Sequence, residues 1–143
     1  MIEIPGILGE IVEKRLVTIA QAKKKRPESE MRLIAENASV PLSLQRTIAS
    51  KSGISLIAEM KRSSPSAGSL DPDLDPAHRA ALYSGAGAAA ISVLTEHDYF
   101  SGSIEDLAAV SIIARASRVP VLRKAFIVDE YQIHAARAAG ADC

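Results

Sequence analysis

Ser55-Leu56-Ile57-Ala58-Glu59-Met60-Lys61 reads as a β-strand, and the fold can be worked out in both directions from it. The stretch is apolar with charges near its end, and Pro65, Gly68, Pro72 and Pro76 mark a long loop after it. Asp75-Pro76 then opens a helix, with an N-cap acceptor followed by proline at the first helical position. That helix is expected to reach Ser84 and to stop at Gly85 and Gly87. A second strand follows in Ala89-Ala90-Ile91-Ser92-Val93-Leu94-Thr95. Ser103-Ile104-Glu105-Asp106 has the form of a capping box, with Asp106 in place of the usual Glu, and opens a helix ending near Arg118. Pro120-Val121-Leu122-Arg123-Lys124-Ala125-Phe126-Ile127 is the third strand. Asp129 caps a further helix through Ala139, Gly140 ends it, and Ala141-Asp142-Cys143 begins a fourth strand.

Strands alternating with helices predict a parallel sheet with right-handed crossovers. A doubly wound sheet and a (β/α)₈ barrel both fit that order. Gly85-x-Gly87 precedes a strand, whereas a dinucleotide fingerprint must follow one, so the barrel is preferred. Three β/α units account for only part of such a barrel. Residues 1–54 read as a helical extension and residues 55–143 as the first part of the α/β barrel. In the extension Leu8, Ile11, Val12, Leu16 and Ile19 fall at helical spacings, while Glu10, Glu13, Lys14 and Arg15 take most of the other face. Lys23-Lys24-Lys25-Arg26 suits the negative end of that helix, which Pro27 breaks. Weaker helical patterns follow around residues 28–38 and 43–50.

The composition removes several classes of function. The 143 residues carry 17 Lys+Arg against 17 Asp+Glu, so net charge gives no reason to expect nucleic acid or an anionic membrane as partner. No apolar run approaches the roughly 20 residues that span a bilayer, and Met1-Ile2-Glu3-Ile4-Pro5 has no signal-peptide character. The single cysteine, Cys143, excludes an internal disulfide; a cytoplasmic location is expected, with Cys143 a small core residue. His78, His97 and His134 are scattered without metal-ligand spacing, so no metal site is expected and surface positions are.

In either architecture the functional residues gather at the C-terminal ends of the parallel strands. Glu59 and Lys61, two apart, share one face of the first strand with Ile57; Leu56, Ala58 and Met60 form the opposite, apolar face. A charged pair facing a barrel interior is costly unless compensated or used; the plainer alternative is a solvated strand end. Leu122, Lys124 and Phe126 share a face of the third strand, which adds a second ammonium and an aromatic ring. The hydroxyl-rich loop Arg62-Ser63-Ser64-Pro65-Ser66-Ala67-Gly68 suits a phosphate or carboxylate, although such turns also occur for structural reasons alone. Tyr99 and Phe100, in the loop after the second strand, suit an apolar substrate or the packing of a rim.

Leu56-Ile57-Ala58-Glu59-Met60-Lys61-Arg62-Ser63-Ser64-Pro65-Ser66 closely resembles the first-strand signature of the indole-3-glycerol-phosphate synthase family. The runs Ala88–Glu96, Tyr99–Ser103, Pro120–Ile127, Tyr131–Ile133 and Ala136–Asp142 resemble that family in the same order, so the likeness covers nearly the whole chain. It implies a (β/α)₈ barrel whose helical extension, residues 1–54, caps it. It also implies a carbon–carbon lyase of tryptophan biosynthesis, a decarboxylase that needs no cofactor. The implied substrate is 1-(2-carboxyphenylamino)-1-deoxyribulose 5-phosphate: its ring attacks the ketone, the carboxylate leaves and a hydroxyl is eliminated. The implied catalytic residues are Lys124, which protonates or polarises the carbonyl oxygen, Lys61, and Glu59, which orients the lysines and the substrate. Ser64 is implied to bind substrate, and Phe100 and Phe126 to line the anthranilate pocket.

The sequence departs from the family pattern where Asp usually follows the third-strand lysine; here the residue is Ala125. The family's fifth-strand glutamate, sixth-strand asparagine, seventh-strand glutamate and serine, and phosphate loops after strands seven and eight are not contained in these residues. The alternative expectation is therefore a truncated, non-catalytic half-barrel, inactive alone or completing a barrel by self-association through exposed strand edges.

Overall fold

The computed structural model describes residues 4–143, which form two compact units. One is built on a sheet and comprises residues 39–125 and 139–143. Its parallel strands are β1 (Ile57–Met60), β4 (Ala90–Leu94) and β5 (Val121–Lys124), in the order β1-β4-β5. Between β1 and β4 lie a small antiparallel hairpin, β2 (Ser63–Ser64) with β3 (Gly68–Ser69), and helix α4 (Pro76–Gly85). Helix α5 (Ile104–Ala116) connects β4 to β5, and the short α3 (Leu44–Ala49) precedes the sheet.

β4 is the central strand and is buried along its whole length, as a continuous apolar run in a parallel sheet requires. Ala58, Ile91 and Val121 pair laterally, as do Met60, Val93 and Arg123. Ile91, Val93, Val121 and Met60 are buried, as are Leu107, Val110 and Ala114 of α5. α4 and α5 pack on each other and on the sheet. Leu107 is fully buried, so Leu107→Ala should destabilise this unit by about 2–5 kcal/mol through lost transfer energy and a cavity. Urea denaturation measures it, and a loss under about 1 kcal/mol would show that the site collapses around the smaller side chain.

The caps fall where the sequence places them. The Asp75 carboxylate accepts from the His78 amide at 3.1 Å, and Ser103 Oγ accepts from the Asp106 amide at 3.0 Å. The capping box at Ser103 is only half made, because the Asp106 carboxylate takes the Arg62 guanidinium. Residues 141–143 run beside β5 without forming a regular strand: Val121 O accepts from the amides of Asp142 and Cys143, and Cys143 O accepts from the Arg123 amide. The buried Asp142 carboxylate also takes the amides of Leu42 and Val121 at 2.7 and 2.9 Å, tying the segment before α3 to the start of β5.

The second unit is helical: α1 (Gly6–Lys25), α2 (Glu28–Glu36) and α6 (Glu130–Ala138), with residues 126–129 leading into α6. Ile19, Met31 and Tyr131 form its small core. The Tyr131 hydroxyl lies 3.2 Å from the Arg26 carbonyl and 3.4 Å from that of Ala22, which also accepts from the Arg26 amide, at the end of α1. The inward stripe of α1 keeps Ile11 and Ile19 of the expected apolar set and adds Arg15, which was expected on the other face. It runs along Ile11, Arg15 and Ile19, four residues apart, and leaves Leu8 and Leu16 about half exposed. Arg15 is buried with its Nε unpartnered; its long alkyl stem lets it continue that stripe.

Lys23 bridges Glu28 at 2.8 Å and Asp129 at 2.9 Å, and Asp129 also accepts from the Tyr131 amide as the cap of α6. The Lys23 hydrogen bond, then the Tyr131 amide, hold the Asp129 carboxyl below its ordinary range, and the carboxylates of Glu28 and Asp129 raise Lys23. A depressed carboxyl stabilises the fold above its unfolded pKa, and that contribution is lost as pH falls through the folded value. Lys23 contributes fully below its unfolded pKa and loses its share as pH rises through the folded one. Asp129→Asn keeps a capping oxygen and removes only the charge. Its melting temperature should lie below that of the parent near neutral pH and converge with it below about pH 3; a gap of constant size would assign the effect to the cap.

Three expectations fail on burial. Leu56 of the expected apolar face is 65 % exposed, because its side of β1 has no strand beside it among the described residues. Cys143 is exposed, lying on the outer side of β5 rather than beneath a helix. His134, expected at the surface, is only 18 % exposed in its side chain and lies 3.7 Å from Glu130.

Candidate functional site

The C-terminal ends of β1 and β5 flank the central strand, and each delivers charge to the same place. Glu59 pairs in register with Ser92, and Ser92 with Leu122; one step on, Leu94 pairs with Lys124. Glu59, Ser92, Leu94 and Lys124 therefore stand on one face. Adjacent strands are about 4.8 Å apart, so β1 and β5 are roughly 10 Å apart across β4. Long side chains close that gap over the small Ser92. Lys124 Nζ lies 2.5 Å from Glu59 Oε2, and Lys61 Nζ lies 3.5 Å from Glu59 Oε1. One carboxylate thus holds two ammonium groups, one just past the end of β1 and one at the end of β5, one on each oxygen. The Tyr83 hydroxyl from α4 donates to the Glu59 carbonyl at 3.3 Å and braces the strand there.

The trio carries one net positive charge. Lys124 is half exposed, and Lys61 and Glu59 are about a third exposed. Each ammonium has three donors and spends one on Glu59, so both retain donors for a ligand. The arrangement is suited to binding an anion and to giving a proton to an oxygen that develops negative charge.

The other expected residues are placed differently. Ser64 is buried in the β2–β3 hairpin, where its Oγ accepts from the Ala67 amide at 3.1 Å. Phe100 is half-buried in the 96–102 loop, with its carbonyl accepting from the Ser63 amide at 3.3 Å. Phe126 does not share a strand face with Lys124. β5 ends at Lys124, and Phe126 is the first residue of the helical unit, where its carbonyl accepts from Gln132 Nε2 at 2.9 Å. The physical reason is the demand of the next segment: Gln132 Oε1 takes the amides of Val128 and Asp129, so residues 126–129 turn toward α6. Ala125, half-buried, closes the sheet unit.

The family described as indole-3-glycerol phosphate synthase matches residues 8–143. The chain belongs to the indole-3-glycerol phosphate synthase family. Its (β/α)₈ barrel accounts for the parallel β1-β4-β5 order. The indole-3-glycerol phosphate synthase of Carboxydothermus hydrogenoformans is 47% identical over 141 residues, covering 94% of this chain and 52% of its own length. That of Desulfosudis oleivorans is 42% identical over 139 residues, covering 95% and 52%. That of Mycolicibacterium gilvum is 46% identical over 136 residues, covering 95% and 48%. The chain spans about half the length of the curated relatives it matches.

Two features of this family member were not found from sequence. Arg62 pairs with Asp106 and donates to Leu74 O at 2.9 Å, while its own carbonyl accepts from the amides of Leu70 and Asp71. Glu96 is 1 % exposed, with its carboxylate turned into its own loop. A signal for the second was present: a carboxylate directly after the buried β4, closed six residues later by Gly102. A Cβ on Gly102 would overlap the Leu94 carbonyl oxygen, so the loop needs glycine there.

Proposed function

We propose that the protein carrying this chain is an indole-3-glycerol phosphate synthase, a carboxy-lyase that closes and decarboxylates 1-(2-carboxyphenylamino)-1-deoxyribulose 5-phosphate and eliminates water. The observation that carries the reading is Glu59 bridged to Lys61 and Lys124 at the ends of parallel strands. The family match over residues 8–143 supports it. Lys124 protonates the ketone oxygen as a ring carbon bonds to the carbonyl carbon, and the carboxylate departs as carbon dioxide while the ring regains aromaticity. Loss of the resulting hydroxyl as water completes the product. Glu59 orients both lysines, and Lys61 binds an anionic part of the substrate and shares in acid catalysis. Ser64 offers its hydroxyl proton to the substrate, its oxygen being occupied by Ala67. Phe100 lines the pocket for the anthranilate ring, whose partly apolar surroundings favour decarboxylation. The lone cysteine fits work in a reducing cytoplasm.

Formation of indole-3-glycerol phosphate by the purified complete gene product, followed by its fluorescence, tests the reading; no turnover with that substrate would sink it. A second reading is favoured by coverage of about half the relatives' length and by the unpaired edge of β1 among the described residues, with Ile57 and the preceding Leu56 exposed. In it, residues 1–143 by themselves are inactive until further strands or a second copy complete the barrel. Sedimentation together with turnover of the 143-residue chain separates the two: an active monomer would end the second reading.

A further inference from the structure

Glu96 is a charged side chain with almost no contact with solvent, and among the described residues no lysine or arginine forms an ion pair with it. Its charge is instead spent on backbone. Oε1 accepts from the Asp98 amide at 3.1 Å, and Oε2 accepts from the amides of Tyr99 and Phe100 at 2.7 and 3.2 Å. Three successive donors converging on one carboxylate form an anion nest occupied by the chain's own side chain. The same residue closes the loop through its carbonyl, which accepts from the Gly102 amide at 2.8 Å. The tightness shows in the backbone: Ser101 takes φ +55°, in the left-handed region.

The rim of this loop is what the hydroxyl-rich segment after β1 leans on. The Ser63 amide donates to Phe100 O at 3.3 Å, Ser63 Oγ donates to Tyr99 O at 3.4 Å, and the hydroxyls of Ser63 and Ser101 lie 2.9 Å apart. Tyr99 and Phe100 therefore present amides inward to Glu96 and carbonyls outward to Ser63. We infer that Glu96 is a positioning residue for the reaction proposed above: its carboxylate shapes the 96–102 loop, and through it sets both Phe100 and the Ser63–Ser64 segment against the substrate. The inference rests on that reading. Glu96 touches no reacting atom. Lys124 and Glu59 are placed by the pairing of β1, β4 and β5, so loss of the Glu96 carboxylate should weaken substrate binding more than it slows the chemistry.

The test uses Glu96→Gln, which keeps the volume and one acceptor, beside Glu96→Ala, in the complete gene product. Two readouts are taken: steady-state kinetics, and hydrogen exchange at the amides of residues 98–100. The expected result for Glu96→Gln is a rise in KM of about tenfold or more with a smaller fall in kcat, and faster exchange confined to those amides. Glu96→Ala should move both further in the same direction. KM and kcat within about twofold of the parent would overturn the inference, whatever happens to the melting temperature. So would a fall in kcat alone, or unchanged exchange at residues 98–100. If Glu96→Ala fails to fold, Glu96→Gln decides by itself. An inactive parent would instead overturn the assigned reaction and this role with it, and the exchange data would then report only whether Glu96 shapes the loop.

Discussion

Lys124→Ala lowers kcat by about 10²- to 10⁴-fold, the range expected when a positioned acid is removed from a transition state. The fold should hardly notice. The Lys124 side chain is half exposed and its ion pair with Glu59 is open to solvent, so its loss costs about 0–1 kcal/mol. The combination of a large kinetic effect with a small thermal one is what separates a chemical role from a structural one. Glu59 would remain paired with Lys61, so no carboxylate is left stranded. Kinetics with a melting curve on the same preparation provide the check. Turnover within about tenfold of the parent would refute the role given to Lys124.

Glu59→Gln has the next largest effect and a different signature. The substitution keeps the length of the side chain but leaves two ammonium groups facing an uncharged amide, and the local charge rises from one positive to two. An anionic substrate then binds as well as before or better, so KM should stay level or fall. The lysines lose the common acceptor that aims them, so kcat should drop by about 10- to 100-fold. Steady-state kinetics at fixed ionic strength distinguish the two effects, because added salt would mask the gain in binding. A higher KM with unchanged kcat would mean that Glu59 contacts the substrate without orienting the lysines.

These two variants probe the part of the molecule most legible in the sequence. Glu59 and Lys61 share a strand face because side chains alternate with a period of two, and Lys124 follows from the same rule two β/α units later. Strand positions are set by local geometry, so a pattern in one dimension maps onto the sheet. Asp75 and Ser103 were readable for a related reason, since an N-cap is satisfied within three residues of itself.

What the sequence concealed depends on long-range choices. Phe126 continues the alternation of β5 on paper, yet the demands of Gln132 and α6 end the strand two residues earlier. Leu8, Ile11, Val12, Leu16 and Ile19 make one broad apolar face on paper; which part of it turns inward, with Arg15 beside Ile11 and Ile19, is decided by the partner. Asp106 was readable as a cap and is claimed by Arg62, 44 residues away. Glu96 is the sharpest case. Carboxylates are usually placed at the surface, and this one is buried because three amides of its own loop replace its water.

The central claim is that Lys61 and Lys124, gathered by Glu59, form the acid-bearing part of a synthase site. Its most direct test is the rate of indole-3-glycerol phosphate formation by the complete gene product, measured beside the matched Lys61→Ala, Lys124→Ala double variant. Turnover is expected in the parent and none above background in the variant, with both folded. Equal turnover in the two would contradict it.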